Sequence, residues 1–388
     1  MSARKMEQKE QSKMLPEEMI VEVFLRLPAK SVGRFRCVSN RWNYLLTQPQ
    51  FVKTHLNLTK QHPSIEEPII LYTPDSGALY STHLNNAHHL FDEMTCFATK
   101  LNFDDRRFYL THYLDGSCDG LVLMRNDDLN KLLLINPTTR EIKELPSLGY
   151  ARDPKTSSTT YGLGYDSVSD DYKVVMISMC VDVYSVRNGT WKRVENSPYD
   201  HMIGDCEPGV FIDGNIHWIA SKASDDSFVI ATFDLGKEKF RELPFPSLVD
   251  SEIKCTCNYF DDDEEEIEHL AFSRLVTLEG CLCGFPDIFD RCQSPVAWMM
   301  KKYGFQESWT KMFLIRVSDS MYRPICLFGK KQVVLVMREE TTNEKLTIYN
   351  SEDETVKDIV VDGIPGKFVV GGSFIETLVS PHCNNGVV

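Results

Sequence analysis

Apolar and polar residues alternate in short runs along most of this chain, and one arrangement of them recurs. Two apolar residues lie seven positions apart on either side of a polar turn, and successive copies in the middle of the chain are 49 residues apart. The copies are Ile135/Ile142, Tyr184/Trp191 and Phe233/Phe240, with a further copy at Tyr349/Val356 and a shorter one at Tyr303/Trp309. Alternation around a short polar turn is typical of a β-hairpin. The pattern therefore predicts a series of hairpins.

A second unit, a glycine turn followed by an alternating strand, lies between these hairpins. Glycine adopts positive φ at little cost, so Asp-Gly is a strong hairpin turn. The turns are Asp119-Gly120, Asp213-Gly214, Glu279-Gly280 and Phe328-Gly329. Hairpins repeated about every 50 residues predict an all-β, kelch-like β-propeller. The tryptophans expected to fill the core between blades are Trp191, Trp218, Trp298 and Trp309. Residues 63–115 fit the repeat poorly, and the pattern assigns them to no blade.

Near the N-terminus, from Leu15 to His55, the apolar spacing becomes helical. Three short helices are predicted, with apolar positions at Met19, Ile20, Val23, Phe24 and Leu27, then Val32, Phe35 and Val38, then Trp42, Leu45 and Leu46. Pro16 is suited to the first helical position, and Ser39 is suited to cap the third helix. Pro49 is expected to close the block. Three helices in about forty residues bury too little area to be stable alone. Two interpretations stay open: the helices dock on the propeller, or they bind a partner.

Composition and charge narrow the classes of function. The 388 residues contain no apolar run near the roughly 18 needed to span a bilayer, and the N-terminus lacks the apolar stretch of a secretory signal. We therefore expect a cytoplasmic and/or nuclear protein with reduced cysteines. The net charge of −14 divides into +6 for residues 1–60 and −20 for the rest, which predicts different partners for the two ends. The acidic larger part argues against nucleic-acid binding, and it suits either a basic protein target or simple solubility.

An acidic insertion interrupts the repeat between Phe233 and Tyr303, which are 70 residues apart. Its charged run is Asp261, Asp262, Asp263, Glu264, Glu265 and Glu266. Such a run cannot pack in a core and is expected to project as a solvated loop. Two interpretations stay open: the loop is filler, or it recognises a basic target, because repeat proteins often have functional insertions.

Evidence for catalysis or metal binding is weak. Cys255 and Cys257, with Cys281 and Cys283, are spaced as Cys-x-Cys, whereas zinc sites usually have Cys-x₂₋₄-Cys. We interpret them as core thiols and expect no metal and no cofactor. The sequence contains no Gly-x-Ser-x-Gly elbow, His-Glu-x-x-His helix or Walker motif. These observations predict a binding protein and not an enzyme.

The N-terminal segment LPEEMIVEVFLRLPAKSVGRFRCVSNRWNYLLTQPQF resembles the F-box. The resemblance implies docking on the Skp-type adaptor of an SCF ubiquitin ligase, which also contains a cullin and a RING subunit. The implied adaptor-binding residues are Leu15, Pro16, Glu18, Ile20, Val23, Leu27, Pro28, Val32, Phe35, Val38 and Trp42. Gly33 is a departure, because plant relatives commonly have leucine there, and the smaller residue removes apolar area.

The rest of the chain is similar to the F-box-associated, kelch-like domain of plant F-box proteins, including the S-locus and defence-regulating groups. Matching segments include LLLINPTTREIKELP, YGLGYDSVSDDYKVV and FDLGKEKFRELPFP. The resemblance implies a three-helix F-box (15–58) and an all-β propeller that recognises substrate (63–380). We expect a flexible leader (1–14) before them and a frayed tail (381–388) after them.

The implied function is that of a non-catalytic substrate receptor, which holds a protein target for ubiquitination and proteasomal degradation. In such a ligase the receptor contributes proximity and orientation, because the RING subunit promotes direct transfer from the carrier enzyme. Three alternatives stay open: a scaffold or inhibitor without ligase function, an S-locus protein that recognises a basic ribonuclease, and a propeller lectin or hydrolase. The sequence does not identify the target, its degradation signal, the binding face, a small-molecule co-receptor or the pathway.

Overall fold

The computed structural model describes most of the chain as four helices followed by a ring of β-sheets. The described residues are 16–61, 67–84, 88–90, 93–103, 113–126, 131–148, 159–201, 207–222, 224, 227–246, 274–285, 296–314, 322–327, 331–340 and 343–382. Several predictions concern residues outside this set: the leader 1–14, Leu15, Cys255, Cys257, the acidic run 261–266, and the Phe328-Gly329 turn.

The N-terminal helical block consists of α1 (Glu17–Leu25), α2 (Ala29–Arg36), α3 (Asn40–Leu46) and α4 (Pro49–Gln61). Ser39 caps α3 as predicted, because the backbone N–H of Trp42 donates to Ser39 Oγ at 3.2 Å. Pro16 lies one position before its predicted place, at the N-cap of α1, where its ψ of 145° is extended.

The fourth helix corrects the prediction that Pro49 closes the block. Proline is tolerated in the first turn of a helix because its missing N–H would have no intrahelical partner there. Pro49 therefore begins α4, in which Phe51, His55 and Leu56 are buried at helical spacing. The helical block extends to Gln61, past the predicted boundary at residue 58.

The described strands form six blades. The first strands in the chain are β1 (Ile69–Tyr72), β2 (Leu79–Thr82), β3 (His88–Leu90) and β4 (Glu93–Lys100). Blade 2 has β5 (Tyr113–Cys118), β6 (Leu121–Asn126), β7 (Lys131–Asn136) and β8 (Glu141–Glu144). Blade 3 has β9 (Thr160–Asp166), β10 (Asp171–Ile177), β11 (Val181–Ser185) and β12 (Thr190–Arg193).

The second half of the ring is built in the same way. Blade 4 has β13 (Tyr199–Asp200), β14 (Val210–Ile212), β15 (Asn215–Lys222), β16 (Phe228–Asp234) and β17 (Lys239–Leu243). Blade 5 has β18 (Arg274–Leu278), β19 (Cys281–Phe285), β20 (Val296–Met300) and β21 (Trp309–Leu314). Blade 6 has β22 (Tyr322–Leu327), β23 (Gln332–Glu340), β24 (Asn343–Asn350) and β25 (Thr355–Asp362), and β26 (Val369–Ser373) follows it.

The C-terminal strand closes the ring. Strand β26 pairs with β1, with Ile69 opposite Ser373, so blade 1 has the order β26-β1-β2-β4. Residues 63–115, which the repeat left unassigned, therefore supply three strands of this blade and the start of blade 2. Strand β4 also pairs in parallel with β25 of blade 6, which joins the two blades in one sheet. The ring is thus closed by the C-terminal strand within blade 1 and by the pairing of the outer strands of blades 1 and 6.

The predicted hairpins are confirmed in register at four places. Ile135 lies opposite Ile142, Tyr184 opposite Trp191, Phe233 opposite Phe240 and Tyr349 opposite Val356. The fifth hairpin was wrong. Trp309 pairs with Met300, because a short 3₁₀-helix, Gln306–Ser308, lengthens the connection and places Tyr303 in it.

Three of the glycine turns are confirmed by their backbone angles. At Asp119-Gly120, φ is 53° and 84°; Asp213-Gly214 and Glu279-Gly280 also have positive φ at both residues. Positive φ at both central residues defines the hairpin turn that matches strand twist. These turns therefore direct β6 of blade 2, β15 of blade 4 and β19 of blade 5.

The core lies between neighbouring blades, so both faces of most inner strands are buried. Of the tryptophans expected there, three are buried and Trp191 is half-buried. Close packing at the centre requires glycine: a Cβ on Gly209 would lie 2.4 Å from atoms of both Ile216 and Trp218. The inner strands of blades 3 and 4 approach closely because this residue has no side chain.

The propeller has two ends, which we name by their relation to the helices. In blades 2, 3, 5 and 6, the helix-side face has the turns between the first and second strands and between the third and fourth strands, such as Asp119-Gly120 and the turn at 186–189; in blade 4 the corresponding turns join β14 to β15 and β16 to β17. The far face has the turns between the second and third strands, together with the connections between blades. Residues 247–273 connect β17 to β18, so the strand ends that flank the acidic insertion lie on the far face.

Candidate partner-binding surfaces

Helix α4 docks the helical block on blades 2 and 3. Its Leu56 packs in the same apolar cluster as Tyr161 and Val174 of the propeller. On its other side, Phe51 packs with Phe24 of α1 and Val32 of α2. Helix α4 therefore connects the core of the helical block with the core of the propeller, and the docking interpretation of the helices is correct for this side of the block.

The C-terminal segment, residues 374–382, is the second element of this docking. Leu378 belongs to the apolar cluster of the helical block, and Val379 belongs to the cluster of blades 2 and 3. Asn136 Nδ2 donates to the carbonyl oxygens of Thr377 and Val379 at 3.1 and 2.7 Å. Pro381 is buried too, and residues 383–388 of the predicted tail lie outside the described set.

Among the described residues, three ion pairs join basic side chains of the block to acidic side chains of the propeller face and the C-terminal segment. Lys30 Nζ lies 2.5 Å from Glu376 Oε1, Lys53 Nζ lies 2.9 Å from Asp170 Oδ1, and Lys60 Nζ lies 2.6 Å from Asp119 Oδ1. The opposite net charges of the two regions therefore act partly within the chain. The sequence had predicted different partners for the two oppositely charged ends, and it did not indicate that the two ends also pair with each other.

The pKa values of two side chains in the buried part of this interface are shifted from their ordinary values. Burial raises the pKa of Glu376, but its contacts with His83 and Lys30 lower it more, so the net pKa is below its ordinary value. Burial lowers the pKa of His55, and its Nε2–H donates to the carbonyl oxygen of Leu27 at 2.8 Å. His55 is therefore a neutral ring that fixes α4 against the end of α1.

An aromatic triad holds the first three helices together. The ring centroids of Phe24 and Phe35 are 5.2 Å apart, and that of Trp42 lies 5.1 Å from Phe24 and 5.7 Å from Phe35. Arg41 pairs with Glu17 at 2.5 Å, which connects the start of α3 with the start of α1. The three short helices therefore form one rigid surface.

The surface of this block that the propeller does not cover is unusually apolar. Met19, Val23, Val38 and Tyr44 are each more than half exposed, at 55%, 54%, 63% and 70%. We call these four residues the exposed apolar surface. Met19 and Val23 lie one turn apart on α1, Val38 follows α2, and Tyr44 lies in α3. Several large exposed apolar side chains on so small a block are consistent with an interaction site.

The predicted adaptor-binding residues fall into three groups. Exposed are Pro16, Glu18, Val23, Pro28 and Val38, and partly buried are Ile20, Leu27, Phe35 and Trp42. Val32 is fully buried and packs against the other helices and Leu378, so its side chain contributes to the fold and is not available at the surface. Sequence reasoning did not include Met19 or Tyr44 in this set. Met19 could have been found, because it was part of the apolar stripe predicted for the first helix.

The far face has a different character. The exposed apolar residues there, Tyr113, Met179 and Phe228, lie at the ends of separate blades, and Met179 is 85% exposed. A small cavity of about 140 Å³ opens beside Met179 and Cys180, and buried His201 lines it. Burial lowers the pKa of His201 to about 4. Such a neutral ring is suited to packing, and it contacts Trp218 and Phe240.

Titratable side chains inside the propeller are held by hydrogen bonds and by apolar packing. His217 Nδ1–H donates to the carbonyl oxygen of Val210 at 2.9 Å, and its Nε2 accepts from Tyr303 Oη at 2.7 Å. Burial raises the pKa of the Cys283 thiol to about 12 and also raises that of Cys281. The part of the chain that the structure describes contains no group of three or more His, Cys, Asp or Glu side chains placed to hold a metal.

The fold is a block of short helices with exposed apolar side chains, docked on a closed β-propeller. The family description "F-box associated beta propeller domain" matches residues 70–381, and "F-box domain" matches residues 13–54. The chain belongs to this family of F-box proteins.

Relatives in Arabidopsis thaliana match over nearly the whole chain. An F-box/kelch-repeat protein, At3g23880, is 28% identical over 95% of this chain and 96% of its own length. F-box protein CPR1 is 29% identical over 91% of this chain and 86% of its own. Among solved structures, one in the nidogen/laminin complex has a TM-score of 0.43 and 10% identity over 81% of this chain and all of the other, which is too low to support an argument. In the described residues, no helix is long and apolar enough to cross a membrane.

Proposed function

We propose that this chain is the substrate-recognition subunit of an SCF ubiquitin ligase. The helical block binds a Skp-type adaptor, which connects the chain to the cullin and RING subunits, and the propeller holds a protein target. The observation that supports this most strongly is the exposed apolar surface of the block. The opposite side of the same block is already occupied by α4, Leu378 and the propeller.

The block has the properties of a rigid docking element. Its aromatic triad fixes the three helices, and its ion pairs with the propeller hold it in one orientation. A receptor of this kind works by holding a target at a set position relative to the carrier enzyme, so orientation is the property that matters. No side chain of the receptor needs to act as a nucleophile.

Adaptor binding tests the proposal directly. We would measure the affinity of the full chain for a plant Skp-type adaptor by calorimetry, with the variants Val23→Asp and Val38→Asp. A charge placed in a buried apolar contact should weaken binding by at least about 100-fold. Val168→Asp is the matched control, because Val168 is 85% exposed but lies in the propeller.

Two results would count against the proposal. One is no binding by the intact chain, and the other is an equal loss in the control variant. Ubiquitin transfer in a reconstituted complex then separates a ligase receptor from a scaffold or inhibitor, since a scaffold would bind the adaptor without supporting transfer.

We assign target recognition to the far face. The helical block occupies the other face at blades 2 and 3, and the strand ends flanking residues 247–273, which include the acidic run, lie on the far face. A basic target is the matching chemistry for that run. Once a target is found by capture with the proteasome blocked, we expect replacement of 261–266 by Asn and Gln to weaken target binding and to leave adaptor binding unchanged. Unchanged target binding would remove the acidic run from the proposal.

A further inference from the structure

A second surface, a cleft between α2 and blade 2, has a chemistry that neither adaptor docking nor target binding uses. Its volume is about 580 Å³, and it lies between the helical block and the turn that joins β7 to β8. Four cationic side chains line it, Lys30, Arg34, Arg36 and Arg140, against one carboxylate, Glu141. This cationic cleft stands out in a chain whose net charge is −14.

Polar atoms in this cleft lack partners although they are buried. Among the described residues, Arg36 Nε, Arg140 Nη1, Thr138 Oγ1 and Thr139 Oγ1 have neither solvent exposure nor a hydrogen-bond partner. All four atoms are able to donate a hydrogen bond. Buried donors without acceptors destabilise a fold unless something satisfies them, and such atoms call for an explanation such as a missing ligand. The atoms come from both the helical block and the propeller.

The charge balance of the cleft is also incomplete. Burial lowers the pKa of Arg36, with Glu141 opposing the effect, and burial lowers the pKa of Arg140, with Glu376 opposing it. Glu376 is already shared with Lys30 at 2.5 Å. The neighbouring carboxylates therefore do not fully compensate the two guanidinium groups.

The cleft has room for a ligand because position 33 is glycine. Gly33 lines the cleft, and a Cβ built on it would meet no atom within 4 Å. The sequence had marked this position as a departure from leucine. The structure puts the missing side chain at the cleft, beside the turn of blade 2.

We propose that the cationic cleft binds a small molecule bearing more than one phosphate group, and that this ligand joins the helical block to the propeller. Guanidinium groups bind phosphate oxygens through paired, charge-assisted hydrogen bonds. Thr138 and Thr139 also line the cleft, and their hydroxyl groups, which have no exposed surface in the free chain, become donors to the ligand once the side chains rotate toward it. Glu141 Oε2, which is also buried without a partner, accepts a hydrogen bond from a protonated phosphate oxygen. The cleft is too small for a folded partner.

The probe is inorganic pyrophosphate, titrated into the full chain at constant ionic strength and followed by calorimetry and by thermal unfolding. We expect saturable binding at one site and a higher unfolding temperature. Arg140→Gln and Arg34→Gln should each weaken binding by about tenfold or more. Arg34 is exposed, so its variant should fold normally if the Arg140 variant does not.

Two further variants locate the site. Gly33→Leu should block binding by filling the cleft. Arg187→Gln is the matched control, because Arg187 pairs with Asp170 and does not line the cationic cleft; it lines the neighbouring cleft beside α4, which shares Arg36 and Glu141 with the cationic cleft but not Arg34 or Arg140. The proposal is overturned if pyrophosphate does not saturate, or if Arg187→Gln weakens binding as much as Arg34→Gln does. These readouts do not involve the adaptor, so they are independent of the proposed ligase function.

Discussion

The helical block and the propeller bury their apolar residues in different ways. In the propeller, most strands in the middle of a blade are covered on both faces by their neighbours, and residues such as Leu121 and Val174 have no exposed surface. The helical block has only Val32 and Leu46 fully enclosed, and it leaves four large apolar side chains more than half exposed. A closed ring of blades covers its own apolar side chains, whereas a small helical block needs contacts from elsewhere to cover its apolar side chains. The propeller provides some of these contacts, and we assign the rest to a partner.

Removing the shared C-terminal segment should break both regions and has the largest expected effect. A chain ending at Gly366 lacks β26, Phe374, Leu378 and Val379. Burying each large apolar side chain contributes about 1.5–3 kcal/mol, so the loss is about 8 kcal/mol, comparable with the ~5–15 kcal/mol stability of a typical domain. We expect no cooperative thermal unfolding by circular dichroism. A chain ending at His382 is the control, and native-like unfolding of the shorter chain would refute the closure we describe.

Leu378→Ala should affect the helical block more than the propeller. Leu378 is 2% exposed and packs with the block, and truncation of a buried leucine costs about 2–5 kcal/mol. Hydrogen exchange should show faster exchange in α1, α2 and α3 than in the blades. Val38→Ala, at an exposed position, should change stability by less than about 0.5 kcal/mol. Equal acceleration in the block and all blades would mean that the two regions unfold as one unit.

Acid should weaken the propeller through its buried histidines. Burial lowers the pKa of His217 to about 4, whereas in the unfolded chain it is about 6.5. The unfolded state therefore binds more protons between these values, and the free energy of unfolding falls as pH drops through that window. For His217 the expected loss between pH 7 and pH 5 is about 2 kcal/mol. Urea unfolding should show it, and His217→Gln should have a shallower pH dependence. An unchanged slope would contradict a neutral, buried His217.

The smallest expected effect is the change in the free energy of unfolding when either of two ion pairs of α4 is removed. Lys60 pairs with Asp119, whose side chain is only 5% exposed, whereas Lys53 and Asp170 are both about half exposed. Lys60→Met leaves a buried carboxylate with less compensation and should cost about 1–2 kcal/mol. Lys53→Met should cost less than about 1 kcal/mol. Both values come from urea unfolding of the full chain, and the reverse order would show that burial of the acid does not control the pair.

The hairpins of the propeller could be predicted from the sequence, because the number of residues between two paired positions determines which residues lie opposite each other. Ile135/Ile142 and Tyr184/Trp191 lie opposite each other as their seven-residue separation indicated. The Tyr303/Trp309 hairpin failed because a 3₁₀-helix changes the length of its turn. The pairing of Ile69 with Ser373 could not be found this way, because partners from opposite ends of the chain share no local period.

The candidate surfaces were predictable to a different degree. The resemblance to the F-box named Val23 and Val38 as contact residues, and both side chains are exposed, but helical periodicity alone did not show that Val32 faces inward while Met19 faces outward. Helix α4 was missed because Pro49 was interpreted as a stop, although Phe51, His55 and Leu56 have helical spacing. The cationic cleft combines residues from α2 with the β7–β8 turn, so only the folded arrangement brings them together.

The central claim is that one side of the helical block docks on the propeller and the other side binds a partner. Hydrogen exchange of the full chain, with and without a Skp-type adaptor, tests both halves in one measurement. We predict that α4 and residues 374–382 are protected in the free chain, and that the adaptor adds protection only in α1, α2 and α3. The account would be contradicted if α4 exchanged freely until the adaptor was added, since the propeller would then not be holding the block.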